Sequence, residues 1–349
     1  MERVWYGTDS LARAARIALA PAERLFAGLS GLRTLMYDAG WAKGRTPPIP
    51  VVSVGNLTVG GTGKTPVAAW IARWLGDHGA HPAVILRGYG SDEPAVHRAL
   101  NPDIDVILDP DRGRAVATAA RRGHDIAVLD DAFQHRQLNR TADIVLISAD
   151  RWSSDVRLLP AGPWREPLSA LRRADLVIVT RKAAPANAVG LVHTALSAIV
   201  PRVPRVSVHL AADELVRVED AEHAEHAALA TLRGERVTAV AAIADPAAFV
   251  RQLELCGARV DPMIYRDHHE FETGDIERIV ATAGASARVV CTLKDAVKLR
   301  NLWPRVAPAL WYVSQRVIVE RGVGGIEQLL DAALRARHPL NSPAPSGPV

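Results

Sequence analysis

The sequence predicts an α/β fold, a mostly parallel sheet with helices on both faces, followed by a smaller C-terminal α/β domain joined through a short strand connector. Three observations carry this. Short β-branched apolar runs alternate with helical stretches between residues 51 and 182, the pattern of strands buried in a parallel sheet. A glycine-rich turn, "VGGTGKT", separates the first of those runs from the first helix. A second alternation of the same kind begins at "RVTAVAAIADPAAF" and runs through "ARVVCTLKDAVKL" to "ALWYVSQRVIV".

Residues 1–40 come first. From Leu11 to Met36 the chain reads as two helices broken at Pro21, the second carrying Leu25, Leu29, Leu32 and Met36 at helical spacing. Arg13, Arg16, Arg24 and Arg33 flank these positions. Such a face either lies in a membrane interface or packs on its own domain, and both readings stand at this point. After "RTPPIP" comes the core, residues 41–204. Its elements are a strand Val51–Val54, a helix Pro66–Leu75, the strand "AVILRGYG", a helix from Glu93, the strand "VILD" and a helix Arg114–Arg121. The strands "IAVLDD", "ADIVLISA" and "ADLVIVTRK" complete it. Residues 205–220 alternate after a proline-rich entry and read as a two-strand connector; residues 221–337 form the smaller α/β domain. The Pro/Ser-rich tail, residues 338–349, is expected to be disordered.

Composition narrows the function classes. No run of eighteen residues escapes a charge or a proline, so no membrane span is expected. The start, "MERVWYGTDS", lacks the basic and apolar regions of a secretory signal, and there are two cysteines, Cys256 and Cys291. An intracellular chain without a disulfide framework is expected. A net charge of +4 suits an anionic partner, yet no nucleic-acid signature accompanies it. No nucleic acid and no obligate protein partner are expected. His268 and His269 lack the further Cys or His that a zinc site needs.

A phosphate-binding loop needs glycines that turn backbone amides toward one point, a lysine for the terminal phosphates and a hydroxyl for Mg²⁺. The run Val59, Gly60, Gly61, Thr62, Gly63, Lys64, Thr65, Pro66 supplies them, with Thr65 as the magnesium hydroxyl. Thr58 stands where the usual spacing has its first glycine, but the strand before the loop and the helix after it provide the expected context. A carboxylate at the end of a buried strand, to hold hydrated Mg²⁺, is offered by Asp130 and Asp131 in "HDIAVLDDAFQH". The chain is therefore expected to bind a nucleoside triphosphate with Mg²⁺. A kinase further needs a base for the acceptor hydroxyl and cations around the γ-phosphate, and "GSDEPAVH", "DPDRGRA", "GPWREP" and "YRDHHEF" hold the candidates. Asp92 and Glu93 beside Pro94 read first as charge complementing a helix N-terminus. The residues by themselves reach "phosphotransferase or NTPase".

The motifs also fall in a recognisable order. "WYG", "PVVSVGNLTVGGTGKTP", "LRGYG", "DEP", "LDDAFQHRQL", "DIVLISA", "LLPAGPWREPLSALRRAD", "RDHHEF" and "TLKDAVKL" follow one another along the chain. On them the sequence resembles the tetraacyldisaccharide 4'-kinase family, the lipid A 4'-kinases of the P-loop NTPase superfamily, over nearly its whole length. The resemblance implies an ATP- and Mg²⁺-dependent kinase whose acceptor is the 4'-hydroxyl of an acylated glucosamine disaccharide phosphate, tetraacyldisaccharide 1-phosphate. Its product is lipid IVA in lipid A biosynthesis. The enzyme is expected to be cytoplasmic and peripheral, working at the anionic surface of the inner face of the cytoplasmic membrane.

Residue roles follow from the same resemblance. Asp92 takes the acceptor proton, with His268 of the second domain as its partner. Glu93, Asp130 and Asp131 manage magnesium; Lys64, Arg112 and Arg165 neutralise phosphate oxygens; Gln134 orients groups around the γ-phosphate. Base and partner lie on different domains, so the site is expected in a cleft that closes on ATP and excludes water. The chain departs from the family pattern at Ser91, the only residue between "RGYG" and "DEP", at Ala132, at Leu293 and in the turn "AAIADP". Two rival readings are a P-loop ATPase of the partitioning type and a kinase with a different, non-lipid-A acceptor. The first class carries a lysine just before its paired glycines, where this chain has Val59.

Overall fold

The structure, a computed structural model, describes residues 2–88, 92–218, 225–284 and 288–337. Ser91 and the tail from 338 therefore lie outside the described residues.

Two helices open the chain, α1 (Glu2–Tyr6) and α2 (Ser10–Asp38). α2 is one helix of 29 residues that passes through Pro21, where the sequence suggested a break. Proline removes a single amide donor, and the turn that loses it, around Ile17, stands in solvent where water serves the freed carbonyl. Alanine, leucine and arginine on both sides are strong helix formers, so the helix resumes at once. Ala12 is its buried residue, whereas Leu25, Leu29, Leu32 and Leu35 are 53% to 66% exposed. The far end of α2 is moored by Arg33, which donates to the Gln134 carbonyl at 2.9 Å, and by the Arg136–Asp38 ion pair at 2.7 Å.

The first half then alternates as expected. It comprises β1 (Val51–Asn56), α3 (Lys64–Asp77), β2 (Pro82–Leu86), α4 (Asp92–Leu100), β3 (Asp105–Leu108), α5 (Arg112–Arg121) and β4 (Ile126–Asp130). It continues through β5 (Ala142–Ser148), β6 (Leu176–Arg181) and α6 (Ala186–Ile199). β1, β2, β4 and β5 are buried along their whole length, which is why they read as unbroken apolar runs. Alternate residues of β1 face opposite layers. Val52 and Val54 meet Val67 and Ile71 of α3, while Val51 meets Ala115 and Val116 of α5. Each fully buried aliphatic side chain contributes roughly 1.5–3 kcal/mol.

The second half holds β7 (Arg205–Arg217), β8 (His226–Ala228), β9 (Arg236–Ala241), α7 (Pro246–Leu255), β10 (Arg259–Ile264) and α8 (Thr273–Ala283). β11 (Arg288–Thr292), α9 (Leu293–Leu299), β12 (Leu310–Arg321) and α10 (Val323–Arg335) complete it. All the strands join one sheet in the order β10-β9-β11-β12-β7-β6-β5-β1-β4-β2-β3, with β8 on β7. The described pairings are parallel except β7 with β12 and β7 with β8. Residues 205–217 thus form one strand, and the second strand of the connector is β12, which arrives from far along the chain. Local alternation marks a strand but does not name its partner. α10 packs back onto the first half, where Ile326, Leu330 and Ala333 join the core beneath Val206 and Leu210. Cys256 and Cys291 are both free thiols.

Candidate active site

The loop after β1 turns through left-handed backbone at Gly60, Gly61 and Gly63, with φ of 71°, 69° and 82°. A side chain there would strain the chain, so glycine is what allows the loop to curl. The curl leads directly into α3, whose first residue is Lys64. Residues 59–66 all line one cleft of 380 Å³, and the helix N-terminus adds its partial positive charge. The loop is held from behind. Thr180 Oγ1 donates to the Thr62 carbonyl at 2.9 Å, and Asn56 Nδ2 donates to Thr62 Oγ1 at 3.0 Å.

At the end of β4, Asp131 sits between Lys64 Nζ at 3.5 Å and the Arg165 guanidinium at 3.1 Å. Burial pushes the Asp131 carboxyl up, but Lys64, Arg165 and Arg112 together outweigh it and hold it below the usual range. Asp130 points the other way, into a buried contact with His97 Nε2 at 3.0 Å. Its Oδ1 is buried with no protein partner. Glu93 lies nearby at the start of α4 and lines the cleft; burial and the charges of Asp130, Asp92 and Asp131 raise its pKa. This surplus of negative charge, with an unpartnered carboxylate oxygen inside it, fits a divalent cation. Among the described residues no three ligating side chains converge, so a Mg²⁺ here would draw further ligands from water and nucleotide phosphates. Thr65, Glu93, Asp130 and Asp131 are the groups available to hold it.

Across the cleft, His268 Nδ1 lies 3.1 Å from Asp92 Oδ2. The contact is an ion pair whose angle falls short of an aligned hydrogen bond. Asp92 is buried at the first turn of α4, and His268, at φ 59°, projects from the loop after β10. Lys294 and Lys298 approach the same carboxylate oxygen at 3.6 and 3.5 Å. Burial raises the Asp92 pKa, but His268, Lys294 and Lys298 prevail and hold it well below the usual carboxylate range. The Asp92 contact in turn raises His268, against burial and the Lys294 charge.

Two residues expected at the phosphates make main-chain contacts beside the cleft. Arg112 is buried and donates to the main-chain carbonyls of Asp130 at 3.0 Å and Asp131 at 2.8 Å, so it braces the strand end and does not line the cleft. An arginine in a loop motif carries no sign of which carbonyls it will meet. Gln134 also stands behind the cleft, donating to the Asn56 carbonyl at 2.8 Å, with its Oε1 3.5 Å from Arg165. His269 pairs with Asp275 at 2.8 Å, away from the cleft. Sequence reasoning missed Lys294 and Lys298, although their i, i+4 spacing in "TLKDAVKL" puts both on one helix face. It also missed His97 and Lys182, for which no local signal exists.

Residues 15–335 match the family model described as Tetraacyldisaccharide-1-P 4'-kinase (LpxK). The chain is 37% identical over 380 aligned positions to the tetraacyldisaccharide 4'-kinase of Anaeromyxobacter sp. (strain K), covering 100% of this chain and 99% of that one. It is 34% identical to the tetraacyldisaccharide 4'-kinase of Halorhodospira halophila (strain DSM 244 / SL1), covering 85% and 87%. Among solved structures, LpxK from Aquifex aeolicus, crystallised in complex with ATP, is similar with a TM-score of 0.70 and 25% identity, covering 93% of this chain and 100% of that one. Because the match runs through both walls of the cleft, from the phosphate loop to the helix bearing Lys294, the chain belongs to the tetraacyldisaccharide-1-P 4'-kinase family.

Proposed function

We propose that this ATP-dependent kinase transfers the γ-phosphate to the 4'-hydroxyl of tetraacyldisaccharide 1-phosphate, forming lipid IVA for lipid A biosynthesis. The observation that carries the reading is His268, which lines the same cleft as the phosphate loop and pairs at 3.1 Å with Asp92, buried directly behind it. Lys64 and Arg165, both held by Asp131, meet the oxygens of the transferred phosphoryl group. Mg²⁺, when bound with ATP, neutralises developing charge on the phosphates. The acceptor oxygen forms a bond to the γ-phosphorus as the bond to the β,γ-bridging oxygen breaks, and ADP leaves. Asp92 accepts the hydroxyl proton, with His268 holding the carboxylate in place. A carboxylate surrounded by cations is a weak base, but phosphoryl transfer passes through a loose transition state in which the proton leaves late. Strength of the base then matters less than its position.

Residues 41–204 together with α10, and the remainder of residues 221–337, act as two lobes that close on ATP through the β7–β12 ribbon, excluding water. Residues 1–40 bring the enzyme to its substrate. No described helix is long and apolar enough to cross a membrane. The exposed leucines of α2 with arginines beside them suit an interfacial helix on the anionic inner face of the cytoplasmic membrane. In vesicle co-sedimentation, changing Leu29 and Leu32 together to glutamate is expected to lower binding about tenfold, with ATP affinity unchanged.

The direct test is transfer of labelled γ-phosphate to tetraacyldisaccharide 1-phosphate in mixed micelles. Formation of a 4'-phosphorylated product, lost in Lys64→Ala, supports the reading. ATP binding without any labelled lipid points to a kinase with another acceptor.

A further inference from the structure

The strand end that carries Asp130 and Asp131 is gripped at two levels. Arg112 holds its main chain, through the carbonyls of both residues. The Asp130 side chain is held separately, by His97 of α4, whose Nε2 lies 3.0 Å from Asp130 Oδ2. The two side chains are 1% and 3% exposed. An ionised carboxylate only accepts, so the hydrogen of this bond sits on Nε2. A buried helix position is ordinarily apolar, and an imidazole placed there costs free energy unless it is bonded. The other ring nitrogen, Nδ1, is buried and has no partner among the described residues. The hydrogen-bonding capacity of the ring is therefore spent on Asp130.

The bond leaves the carboxylate asymmetric. The torsion that turns a carboxylate is soft, and a bond to one oxygen fixes where the other stands. Here the fixed oxygen is Oδ2, while Oδ1 is buried without a hydrogen-bond partner. A buried oxygen of this kind is costly, and such exceptions ask for an explanation. A cation arriving with a ligand supplies one. Carboxylates that hold metals are commonly fastened in this way, with an outer hydrogen bond to one oxygen and the metal at the other. The spacing along α4 agrees, since Glu93 stands one turn before His97 on the same helix face. Burial first, and then the charge of Asp130, raise the Glu93 pKa. His97 thus ties the helix that bears Asp92 and Glu93 to the strand end that bears Asp130 and Asp131.

We propose that His97 is a positioning residue for the metal, which holds Asp130 Oδ2 and so reserves Oδ1 for the Mg²⁺ that binds with ATP. Sealed in the interior, His97 meets neither nucleotide nor metal and acts through Asp130. The inference rests on the reading of this cleft as a site for ATP with Mg²⁺.

Titration calorimetry of the full chain tests it, with ATP in EDTA and ATP in excess Mg²⁺ as the two probes. His97→Leu deletes the donor and keeps a side chain of similar bulk, and His97→Met does the same if leucine is not accommodated. ATP binding in EDTA is expected to match wild type, which also shows that the variant is folded. Binding in Mg²⁺ is expected to weaken about tenfold. The Mg²⁺ concentration for half-maximal phosphate transfer should rise by a similar factor. His97→Gln, which offers an amide N–H in place of Nε2–H, should recover most of both losses. An apolar variant that keeps the wild-type response to Mg²⁺, an equal loss of ATP affinity with and without metal, or a His97→Gln no better than His97→Leu overturns the proposal. Asp130→Asn separates the two levels of the argument. If it loses the Mg²⁺ response while His97→Leu keeps it, the role of His97 alone falls. If Asp130→Asn keeps the response, Asp130 does not hold the metal, and that reading of the cleft fails along with the inference.

Discussion

The two walls of the cleft are built on different principles. The N-terminal wall is a continuous stretch of backbone, residues 59–66, curled by three left-handed glycines and fastened from behind by Thr180 and Asn56. The C-terminal wall is made of side chains from separate places, Asp245 after β9, His268 after β10 and Lys294 on α9. Backbone amides recognise any phosphate chain, whereas dispersed side chains can be arranged for one acceptor and one nucleoside. On the proposed reading the first wall handles nucleotide phosphates and the second distinguishes one kinase from another.

The largest effect is expected where the first wall carries charge. Lys64→Ala should lower kcat/KM for phosphate transfer by about a thousandfold or more; a loss below about tenfold in a steady-state assay breaks the division of labour. Next comes Asp92, on α4 of the first half and paired with His268 of the second wall. Asp92→Asn is expected to cut kcat about a hundredfold or more with little change in ATP affinity. Comparable losses of kcat and of ATP binding would instead assign Asp92 to nucleotide binding.

Smaller effects probe where the walls meet. Gly60→Ala forces left-handed backbone on a residue with a Cβ and drives it against Ala244, so thermal unfolding should show a destabilisation of about 1–3 kcal/mol. An unchanged midpoint means that the two walls do not touch there. The smallest expected signal is a titration. His268 is raised by Asp92, so NMR should place its imidazole above its ordinary value in wild type and nearer that value in Asp92→Asn. The linkage has a definite sign. The contribution of His268 to stability is complete below the ordinary imidazole pKa and is lost as pH rises through the raised one. That of Asp92, whose pKa is depressed, is complete above the ordinary carboxylate value and is lost as pH falls through the depressed one.

The same contrast explains what could be read from the sequence. β1, β4 and the phosphate loop are local, and their burial and turn chemistry are written in adjacent residues. The pairing of β7 with β12 and the return of α10 to the first core are settled by packing between distant segments, which no local period reports. Helix α2 runs through Pro21 because one missing donor in solvent is too weak a fault to end it. In the site, Lys64 and Asp131 announce themselves by spacing, and the structure brings them within 3.5 Å. Asp92 and His268 were linked through resemblance alone, since nothing in "DEP" or "DHH" says that the two meet. Arg112 is a cation near the right motif whose hydrogen bonds to main chain no local pattern announces.

The most direct measurement is a double-mutant cycle on single-turnover phosphate transfer, using Asp92→Asn, His268→Ala and the pair together. If the residues act as one unit across the cleft, the double variant should be about as slow as the slower single variant. Losses that multiply independently contradict a joint role and leave Asp92 and His268 as separate contributors on opposite walls.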